Sequence, residues 1–369
     1  MRGIAAVGAL VVSTALIGYA FNQAESQSGS DTGSAARARP VASADSGRTA
    51  APGQLDADAI AAAVDPAVVD INTTLDQGEA AGTGMVITSS GEVLTNNHVI
   101  ANATDIRVQI GGTGRYHSAE VLGYNVSEDV ALLKVDDVSG LKTVATDTDV
   151  SIGESVLALG NALGQGGTPD AKPGSVAAIG RTITVSDESG SSQQTLSNLI
   201  QINAALQPGD SGGPLVDADG EVVGMDAAAS SGGYRLESSG EGYAIPIKTA
   251  LAVAHQIESG NGSGDTHVGE RAFLGVAIRD VGTPGRRGGT SSGDGAAVSN
   301  VQSGSPADNA GLQQGDVITS LAGKNVSSIS DLTSALAPYH PRDKVDVGWV
   351  DTSGEHHTAK VTLTSGPPA

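Results

Sequence analysis

Short apolar runs separated by Gly, Asn and Asp turns fill the chain from residue 59 onward, and runs of this length are typical of β-strands. A first set of predicted strands covers residues 67–74, 84–88, 92–95, 105–110, 119–124 and 130–135. A second set covers residues 155–159, 174–185, 199–203, 214–216, 221–226 and 242–245. Two sets of antiparallel strands predict two packed β-barrels with a cleft between them.

The spacing of apolar residues changes after the second set of strands. Residues 247–257 carry them at i, i+4, i+7 and i+10, which predicts a helix that closes a domain spanning 59–258. A Gly- and Ser-rich stretch follows and predicts a linker over 259–269. Residues 270–369 then form a separate module.

The N-terminus has the pattern of an export signal. Arg2 supplies a positive charge, and residues 4–21 form an apolar run that ends among small residues. Its length lies between that of a signal peptide and that of a short spanning helix, so residues 1–21 are predicted to be either a signal peptide or a signal anchor. Residues 22–58 are rich in Ser, Ala, Gly and Asp and predict a disordered linker. We expect a secreted or cell-envelope protein that contacts a membrane only if the N-terminal segment stays uncleaved.

Composition narrows the class of protein. The 369 residues allow two or three domains, and the absence of cysteine excludes disulfides and thiol chemistry. The formal net charge of -21 argues against nucleic acid as a partner, because phosphate recognition needs clustered Lys and Arg. No cofactor or metal is predicted, since the segment 217–220 resembles a calcium loop only faintly and lacks the remaining ligands.

The segment 209–215, which reads Gly-Asp-Ser-Gly-Gly-Pro-Leu, carries the strongest chemical signal. Glycines around a serine allow a tight turn whose backbone N–H groups face one oxygen atom, as an acyl-transfer nucleophile requires. Ser211 is therefore the candidate nucleophile, and the N–H groups of Gly209 and Ser211 are the candidate oxyanion hole. The alternative is a Gly-rich hairpin loop with an incidental serine.

A serine nucleophile needs a histidine base and a carboxylate that orients the histidine. His98 follows a strand-like run and lies in a polar turn at a predicted barrel edge, whereas the other histidines fall on loops, on the predicted helix, in the linker or in the C-terminal module. Asp129 directly precedes the buried-strand pattern at 130–135, with Glu128 beside it as a rival. Taken alone, His98 is more typical of a satisfied core histidine and Asp129 of a solvated turn.

Three segments together resemble the trypsin-like proteases of the HtrA family. In chain order they are Thr95-Asn96-Asn97-His98-Val99, Asp129-Val130-Ala131-Leu132-Leu133 and the Gly-Asp-Ser-Gly-Gly-Pro segment. The resemblance extends over residues 59–369 and is strongest to secreted actinobacterial members. It implies His98 as general base, Asp129 as the orienting carboxylate and Ser211 as nucleophile.

Asp210 departs from this resemblance, because most HtrA relatives have Asn at its position. Trypsins have Asp there and pair it with an amino terminus that is freed by zymogen cleavage. The arginines of the N-terminal segment do not precede an apolar Ile-Val pair, so no activation site is evident. A salt link or hydrogen bonds within the loop are the favoured alternatives.

Substrate preference is predicted from the resemblance alone. It implies a pocket lined by Ala205 and by the strand that carries Asp226, Ala227 and Ala228. No acidic residue occupies the position of Ala205, which argues against a requirement for Lys or Arg, although Asp226 leaves the question open. Small or medium apolar side chains are the expected preference.

The C-terminal module resembles a circularly permuted bacterial PDZ domain. The resemblance rests on Phe273-Leu274-Gly275-Val276, on the Gly-Ser-Pro-Ala segment that begins at 304, and on a predicted helix at 331–337. It implies a loop, with Arg271 beside it, whose backbone N–H groups bind a peptide C-terminus while a strand edge pairs with the peptide. The alternative is a structural lid without a ligand. Residues 282–295 are expected to form an insertion.

The predicted fold class is therefore mainly β, a chymotrypsin/trypsin-like double antiparallel β-barrel followed by a small α+β PDZ domain. We expect an exported, cofactor-free serine endopeptidase that acts on polypeptides. The rivals are a chaperone-like protein that captures unfolded chains and an adhesive envelope protein. HtrA relatives often trimerise through aromatic residues near the start of the protease domain, and residues 59–74 contain none. The sequence leaves open whether the protein forms a homo-oligomer, and it does not predict a trimer.

Overall fold

The computed structural model describes residues 55–75, 78–161, 164–186, 193–227, 242–262, 265–280 and 295–368. Its strands are β1 (Val68–Leu75), β2 (Gly78–Val86), β3 (Glu92–Thr95), β4 (Asp105–Ile110), β5 (Tyr116–Asn125), β6 (Val130–Val135), β7 (Ser155–Gly160), β8 (Asp170–Ser186), β9 (Gln193–Ile202), β10 (Pro214–Val216), β11 (Val222–Asp226), β12 (Gly242–Pro246), β13 (Thr266–Val268), β14 (Arg271–Phe273), β15 (Val276–Asp280), β16 (Ala296–Val301), β17 (Val317–Leu321), β18 (Lys324–Asn325), β19 (Lys344–Val350), β20 (His356–Thr362) and β21 (Thr364–Gly366). Its α-helices are α1 (Ala57–Val64), α2 (Asn97–Ile100), α3 (Ile247–Glu258), α4 (Pro306–Ala310) and α5 (Ile329–Leu336).

The first six strands form an antiparallel barrel. Pairing runs in the order β5-β4-β1-β2-β3-β6, and β6 pairs back with β5 to close the ring. The interior is filled by aliphatic side chains such as Ile71, Val93 and Leu133, none of which is exposed. Most consecutive strands pair with each other, whereas β3 and β4, which α2 separates in the chain, are not neighbours in the sheet.

The second barrel closes in the order β10-β11-β12-β9-β8-β7. Its strands confirm the predicted second set, although β8 begins at Asp170, four residues before the predicted start. Pro173 obscures this start in the sequence, because proline is uncommon inside strands. The earlier start brings Lys172 into the barrel wall, opposite Ala158.

An apolar core joins the two barrels. It combines Met85, Leu94 and Leu132 of the first barrel with Leu157 and Met225 of the second. Fully burying each such side chain contributes about 1.5–3 kcal/mol, so the barrels are held against each other by packing and without disulfides. Helix α3 packs on the same core, as the predicted closing helix requires.

Both predicted linkers contain ordered residues. Helix α1 begins at Ala57, inside the predicted linker 22–58, with Asp56 as its N-cap and with Ile60 and Val64 in the core between the barrels. The predicted signal and most of that linker lie outside the described residues. The second linker, 259–269, contributes β13, which pairs with β5 at the edge of the first barrel. A three-residue strand after a Gly- and Ser-rich stretch gives no periodic signal.

The C-terminal module has its own core, built around Leu312, Ile318, Val347 and Trp349. Its main sheet runs in the order β15-β16-β17-β19-β20, so β15 is an edge strand of that sheet, and α5 packs beside it. The C-terminal strand β21 pairs with β14, and the N–H of Asn102 in the first barrel donates to the carbonyl of Pro368 at 2.8 Å. None of the helices described here combines the length and the apolar composition needed to cross a membrane.

Candidate active site

His98 and Asp129 face each other at the edge of the first barrel. His98 lies in α2, directly after β3, and Asp129 occupies the turn before β6 with φ of 53°. One carboxylate oxygen of Asp129 accepts from the backbone N–H of His98 at 2.9 Å, and the other lies 2.8 Å from the ring atom Nδ1. An ionised carboxylate only accepts hydrogen bonds, so the proton is on Nδ1 and Nε2 is the acceptor nitrogen.

Asn96 supports this pair from below. Its amide nitrogen donates to the backbone carbonyl of Asp129 at 3.0 Å, and the side chain is fully buried. The sequence alone does not predict a role for Asn96. Its position beside His98 in the Thr-Asn-Asn-His segment was the available signal.

Ser211 lies in the loop before β10 and is 2% exposed. The flanking residues Gly209 and Gly212 have φ of 99° and 86°, in the region that favours glycine. A Cβ on Gly212 would lie 2.1 Å from the carbonyl oxygen of Thr83 and 2.3 Å from the hydroxyl of Thr95. Only glycine therefore allows this loop to approach the first barrel so closely.

Thr83 ties the serine loop to the first barrel through two hydrogen bonds and contacts Asn161 through a third. Its N–H donates to the carbonyl of Ser211 at 2.8 Å, its hydroxyl donates to the carbonyl of Gly209 at 2.6 Å, and that hydroxyl accepts from the N–H of Asn161 at 2.9 Å. Thr95 in turn donates to the carbonyl of Thr83 at 2.7 Å. Because Thr95 lies three residues before His98, this network brings the serine loop and the histidine segment together at the boundary of the barrels.

Asp210 forms a salt link inside the second barrel. Its carboxylate oxygens lie 2.7 and 2.8 Å from Nζ of Lys172, and the N–H of Gln207 donates to one of them at 2.6 Å. Burial raises the pKa of Asp210, whereas the bonds from Lys172 and Gln207 lower it. This is one of the two arrangements favoured from the sequence. Lys172 itself was missed, because Pro173 made its segment look like a loop.

Asp226 adjoins the serine loop and is completely buried, and neither of its carboxylate oxygens is hydrogen-bonded to a residue that the structure describes. Burial raises the pKa of Asp226 well above its usual value; the charge of Asp210 raises it further and that of Lys172 lowers it. Burial thus disfavours the charged form of this carboxyl. Its backbone carbonyl accepts from Gly212 and its N–H donates to Gly213, both at 2.8 Å, so Asp226 supports the loop through the main chain.

The remaining predicted pocket residues are only partly described. Ala205 is exposed, and Ala227 is buried with its N–H donating to the carbonyl of Tyr243 at 2.8 Å. Ala228 lies outside the described residues, so one wall of the predicted substrate pocket carries no structural account.

The predicted peptide-binding loop of the C-terminal module joins β14 to β15. Phe273 is half-buried at the end of β14, Leu274 is buried in the core, and Val276 begins the edge strand. Gly275 has φ of 84°, and a Cβ there would lie 2.1 Å from Cβ of Ser305. Arg271 pairs with β21 and lines a cavity of about 750 Å³ together with residues of β5, the end of α3 and the C-terminal strand.

Two groups of side chains in the described part of the chain have the proximity of metal ligands: Asp351, Glu355 and His357, and Asp147, Asp217 and Glu221. The carboxylate of Asp351 in the first group and that of Asp217 in the second already accept hydrogen bonds from backbone N–H groups of their own turns. These hydrogen bonds explain why the side chains of each group lie close together in a turn. Among the described hydrogen bonds, none links either group to His98 or Asp129.

Two closed antiparallel barrels followed by a separate α+β module define a trypsin-like peptidase with a PDZ domain, and family models agree. The trypsin-like peptidase domain matches residues 82–225, and the PDZ domain matches residues 272–363. The chain is 32% identical over 389 residues to serine protease PepD of Mycobacterium tuberculosis, which covers 98% of this chain and 77% of PepD. The chain thus belongs to the HtrA family of serine endopeptidases.

Two further relatives were found. A probable periplasmic serine endoprotease, DegP-like, of Ectopseudomonas mendocina is 35% identical over 296 residues, which covers 79% of this chain and 58% of the relative. The solved structure of the HtrA-type protease AlgW with a tripeptide is 30% identical, with a TM-score of 0.47, and the match covers 84% of this chain and 98% of that one.

Proposed function

We propose that this protein is an exported endopeptidase that cleaves unfolded or envelope proteins by acyl transfer to Ser211. His98 takes the proton of the Ser211 hydroxyl through Nε2 as the oxygen attacks the substrate carbonyl, and later gives that proton to the leaving amine. Asp129 keeps Nδ1 protonated and stabilises the imidazolium that forms. The observation that carries the proposal is the two-point contact of Asp129 with the ring and the backbone of His98.

The oxyanion hole is proposed to consist of the N–H groups of Gly209 and Ser211. Donors fixed before the reaction stabilise the negative oxygen of the tetrahedral intermediate without reorganising at the moment of attack. Two of the hydrogen bonds of Thr83 hold the carbonyls of Gly209 and Ser211, which supports a fixed backbone orientation in the loop that carries both N–H groups.

We further propose a preference for small or medium apolar side chains before the scissile bond. A pocket selects Lys or Arg when it offers a negative charge. Asp226 is fully buried, and burial raises its pKa and disfavours its charged form, which makes it a poor source of such a charge. Peptides that differ only at this position should be cleaved faster with Ala or Val than with Lys. The reverse order would contradict this preference.

Labelling of Ser211 tests the proposed chemistry. A fluorophosphonate should modify one residue of the folded protein, because only a hydroxyl with a base and oxyanion donors reacts readily. Ser211→Ala should abolish both labelling and casein cleavage while the thermal unfolding curve stays unchanged. Ser303→Ala, in an exposed turn of the PDZ domain, is the matched control and should retain both. Cleavage that persists in Ser211→Ala would remove the assignment of Ser211 as nucleophile, whereas a wild-type protein that takes no label and cleaves no casein would favour a chaperone-like protein.

The PDZ domain is proposed to bind peptide C-termini and to deliver or regulate substrate. A peptide would add an antiparallel strand to the edge of β15, beside α5, with its carboxylate at the 273–276 loop. The edge position of β15 and the packing of α5 next to it support this mode. Calorimetry should show binding of a peptide with a free apolar C-terminus and no binding of its amidated form. Equal affinity for both forms would contradict the proposal.

A further inference from the structure

We propose that Lys172 is a positioning residue of the catalytic loop: its ammonium group fixes Asp210, and with it the peptide groups of Gly209 and Ser211, in the uncut chain. The inference rests on the proposed role of Ser211 and adds to it a device that makes the loop competent without a cleaved amino terminus. Lys172 comes from the barrel wall opposite Ala158 and is therefore present as soon as the second barrel forms.

Lys172 and Asp210 form a close ion pair that is shielded from solvent. Nζ of Lys172 lies 2.8 Å from Oδ1 and 2.7 Å from Oδ2 of Asp210, so one ammonium group binds both oxygens. The Asp210 side chain is 1% exposed and the Lys172 side chain 16% exposed, which keeps solvent from competing for either partner. Charge-assisted hydrogen bonds of this kind are the strong ones in proteins.

Asp210 makes three further hydrogen bonds, and these set the backbone direction of the serine loop. Its carboxylate accepts from the N–H of Gln207, its own N–H donates to the carbonyl of Gln207 at 3.0 Å, and its carbonyl accepts from the N–H of Gly213 at 2.9 Å. A rotation of Asp210 would therefore turn the peptide groups on both of its sides. The group after Asp210 carries the N–H of Ser211, one of the two proposed oxyanion donors, and the group before it carries the carbonyl of Gly209 that Thr83 contacts.

The surroundings leave little room for Asp210 to adopt another position. A Cβ on Gly160 of β7 would lie 2.7 Å from Cα of Asp210, so the backbones of the two residues are in direct contact. The carboxyl of Asp226 is buried nearby, and Asp170 adds a second negative charge to the environment of Asp210. Among these acidic groups Lys172 is the positive partner that Asp210 contacts.

Loss of the ammonium group would leave the carboxylate of Asp210 buried beside acidic neighbours. A buried charge without a partner takes up a proton or moves towards water. Either response breaks the link between Asp210, Gln207 and the barrel wall. The N–H of Ser211 would then lose its fixed direction, whereas His98 and Asp129, in the other barrel, would keep theirs.

Kinetics of three variants test this role: Lys172→Met, Lys172→Arg and the double variant Lys172→Met/Asp210→Asn. Lys172→Met should lower kcat and the rate of fluorophosphonate labelling about 100-fold, the size of effect seen when one oxyanion donor is lost, with KM changed by less than about twofold. Lys172→Arg should keep activity within about tenfold of the wild type. The double variant should recover most of the loss, because it removes the buried unpaired charge.

Lys134→Met is the matched control, since Lys134 also lies on a barrel strand and binds one carbonyl at the surface, that of Ser90. It should leave kcat and labelling unchanged. Intact-mass measurement of the labelled wild type should show a chain that is not cut between α1 and Ser211.

Each outcome decides the matter. A Lys172→Met variant that is labelled at the wild-type rate overturns the inference while the proposed function stands. If Lys172→Met does not fold, the double variant carries the test, and a 100-fold loss in that variant also overturns it. Labelling confined to molecules cut upstream of Ser211 means that a freed amino terminus does the positioning. A wild-type protein that takes no label overturns both the inference and the proposed function.

Discussion

Both carboxylate oxygens of Asp129 bind His98, so replacing this carboxylate should affect catalysis directly. Asp129→Asn would replace one acceptor with an amide group that donates, so the ring of His98 would be held in the wrong tautomer. We expect kcat to fall about 10⁴-fold with little change in thermal stability. Asp105→Asn, on an exposed residue of the same barrel, is the control and should leave kcat unchanged. A loss smaller than about tenfold would contradict the proposed role.

Asp70 gives a prediction about stability and pH. It is 1% exposed in β1, neither carboxylate oxygen is hydrogen-bonded within the part of the chain that the structure describes, and burial raises the pKa of Asp70 from 3.8 to about 6. The folded state therefore holds a proton that the unfolded state releases, so stability falls as the pH rises from about 4 to about 6. Asp70→Asn should remove this fall and add up to about 3 kcal/mol at pH 7.

Urea unfolding at pH 4, 5, 6 and 7 measures the effect. The gain from Asp70→Asn should grow across that range and level off above the raised pKa. Asp105→Asn should show no such growth, because its carboxylate is 44% exposed and paired with Arg107. A gain that is the same at every pH would mean that burial does not perturb Asp70.

At the scale of elements, the serine loop depends on a close approach that one glycine permits. Gly212→Ala would combine a strained φ with contacts of 2.1 and 2.3 Å to the first barrel, so the loop must move. We expect labelling of Ser211 to fall by more than about 10². Gly153→Ala has nearly the same φ, 87°, but nothing within 4 Å of the added atom. It therefore isolates backbone strain and should keep full labelling; equal losses in both variants would contradict the steric explanation.

At the scale of the whole molecule, β13 connects the protease barrel to the PDZ domain through His267. The ring of His267 lies 5.2 Å from that of Tyr124 in β5 and 5.8 Å from that of His340 in the PDZ domain. Burial lowers the pKa of His267, the hydrogen bond to the carbonyl of Glu270 raises it, and the charges of His340 and Arg271 lower it. Because the unfolded state binds the proton more tightly, stability falls as the pH drops below 6.5.

His267→Phe should therefore reduce the loss of melting temperature between pH 7.5 and pH 5.5, since phenylalanine keeps an aromatic ring in contact with Tyr124 and His340 and binds no proton. Calorimetric scans of the wild type and the variant at both pH values measure this. His255→Phe is the control, because His255 is exposed on α3. An unchanged pH dependence in His267→Phe would show that His267 does not couple proton binding to stability.

The apolar pattern was sufficient for most strands of both barrels and for α3, because side-chain burial on one face imposes a local period that the sequence displays. It was insufficient for β13 and for α1 inside the predicted linkers. Their positions depend on partners far along the chain, namely β5 and the core between the barrels.

The sequence by itself determined the mainly β architecture, the division into protease and PDZ domains, and the candidate residues His98, Asp129 and Ser211, since each of these has a local signature. Only the tertiary structure decided how the serine loop is held. Thr83 reaches it from the other barrel, Lys172 reaches Asp210 across the barrel wall, and Asp226 supports it from beneath. These contacts join residues that are between 13 and 128 positions apart in the sequence. A local periodicity reports which side chains are buried, but it does not report which charged group or hydroxyl will contact a distant loop after folding.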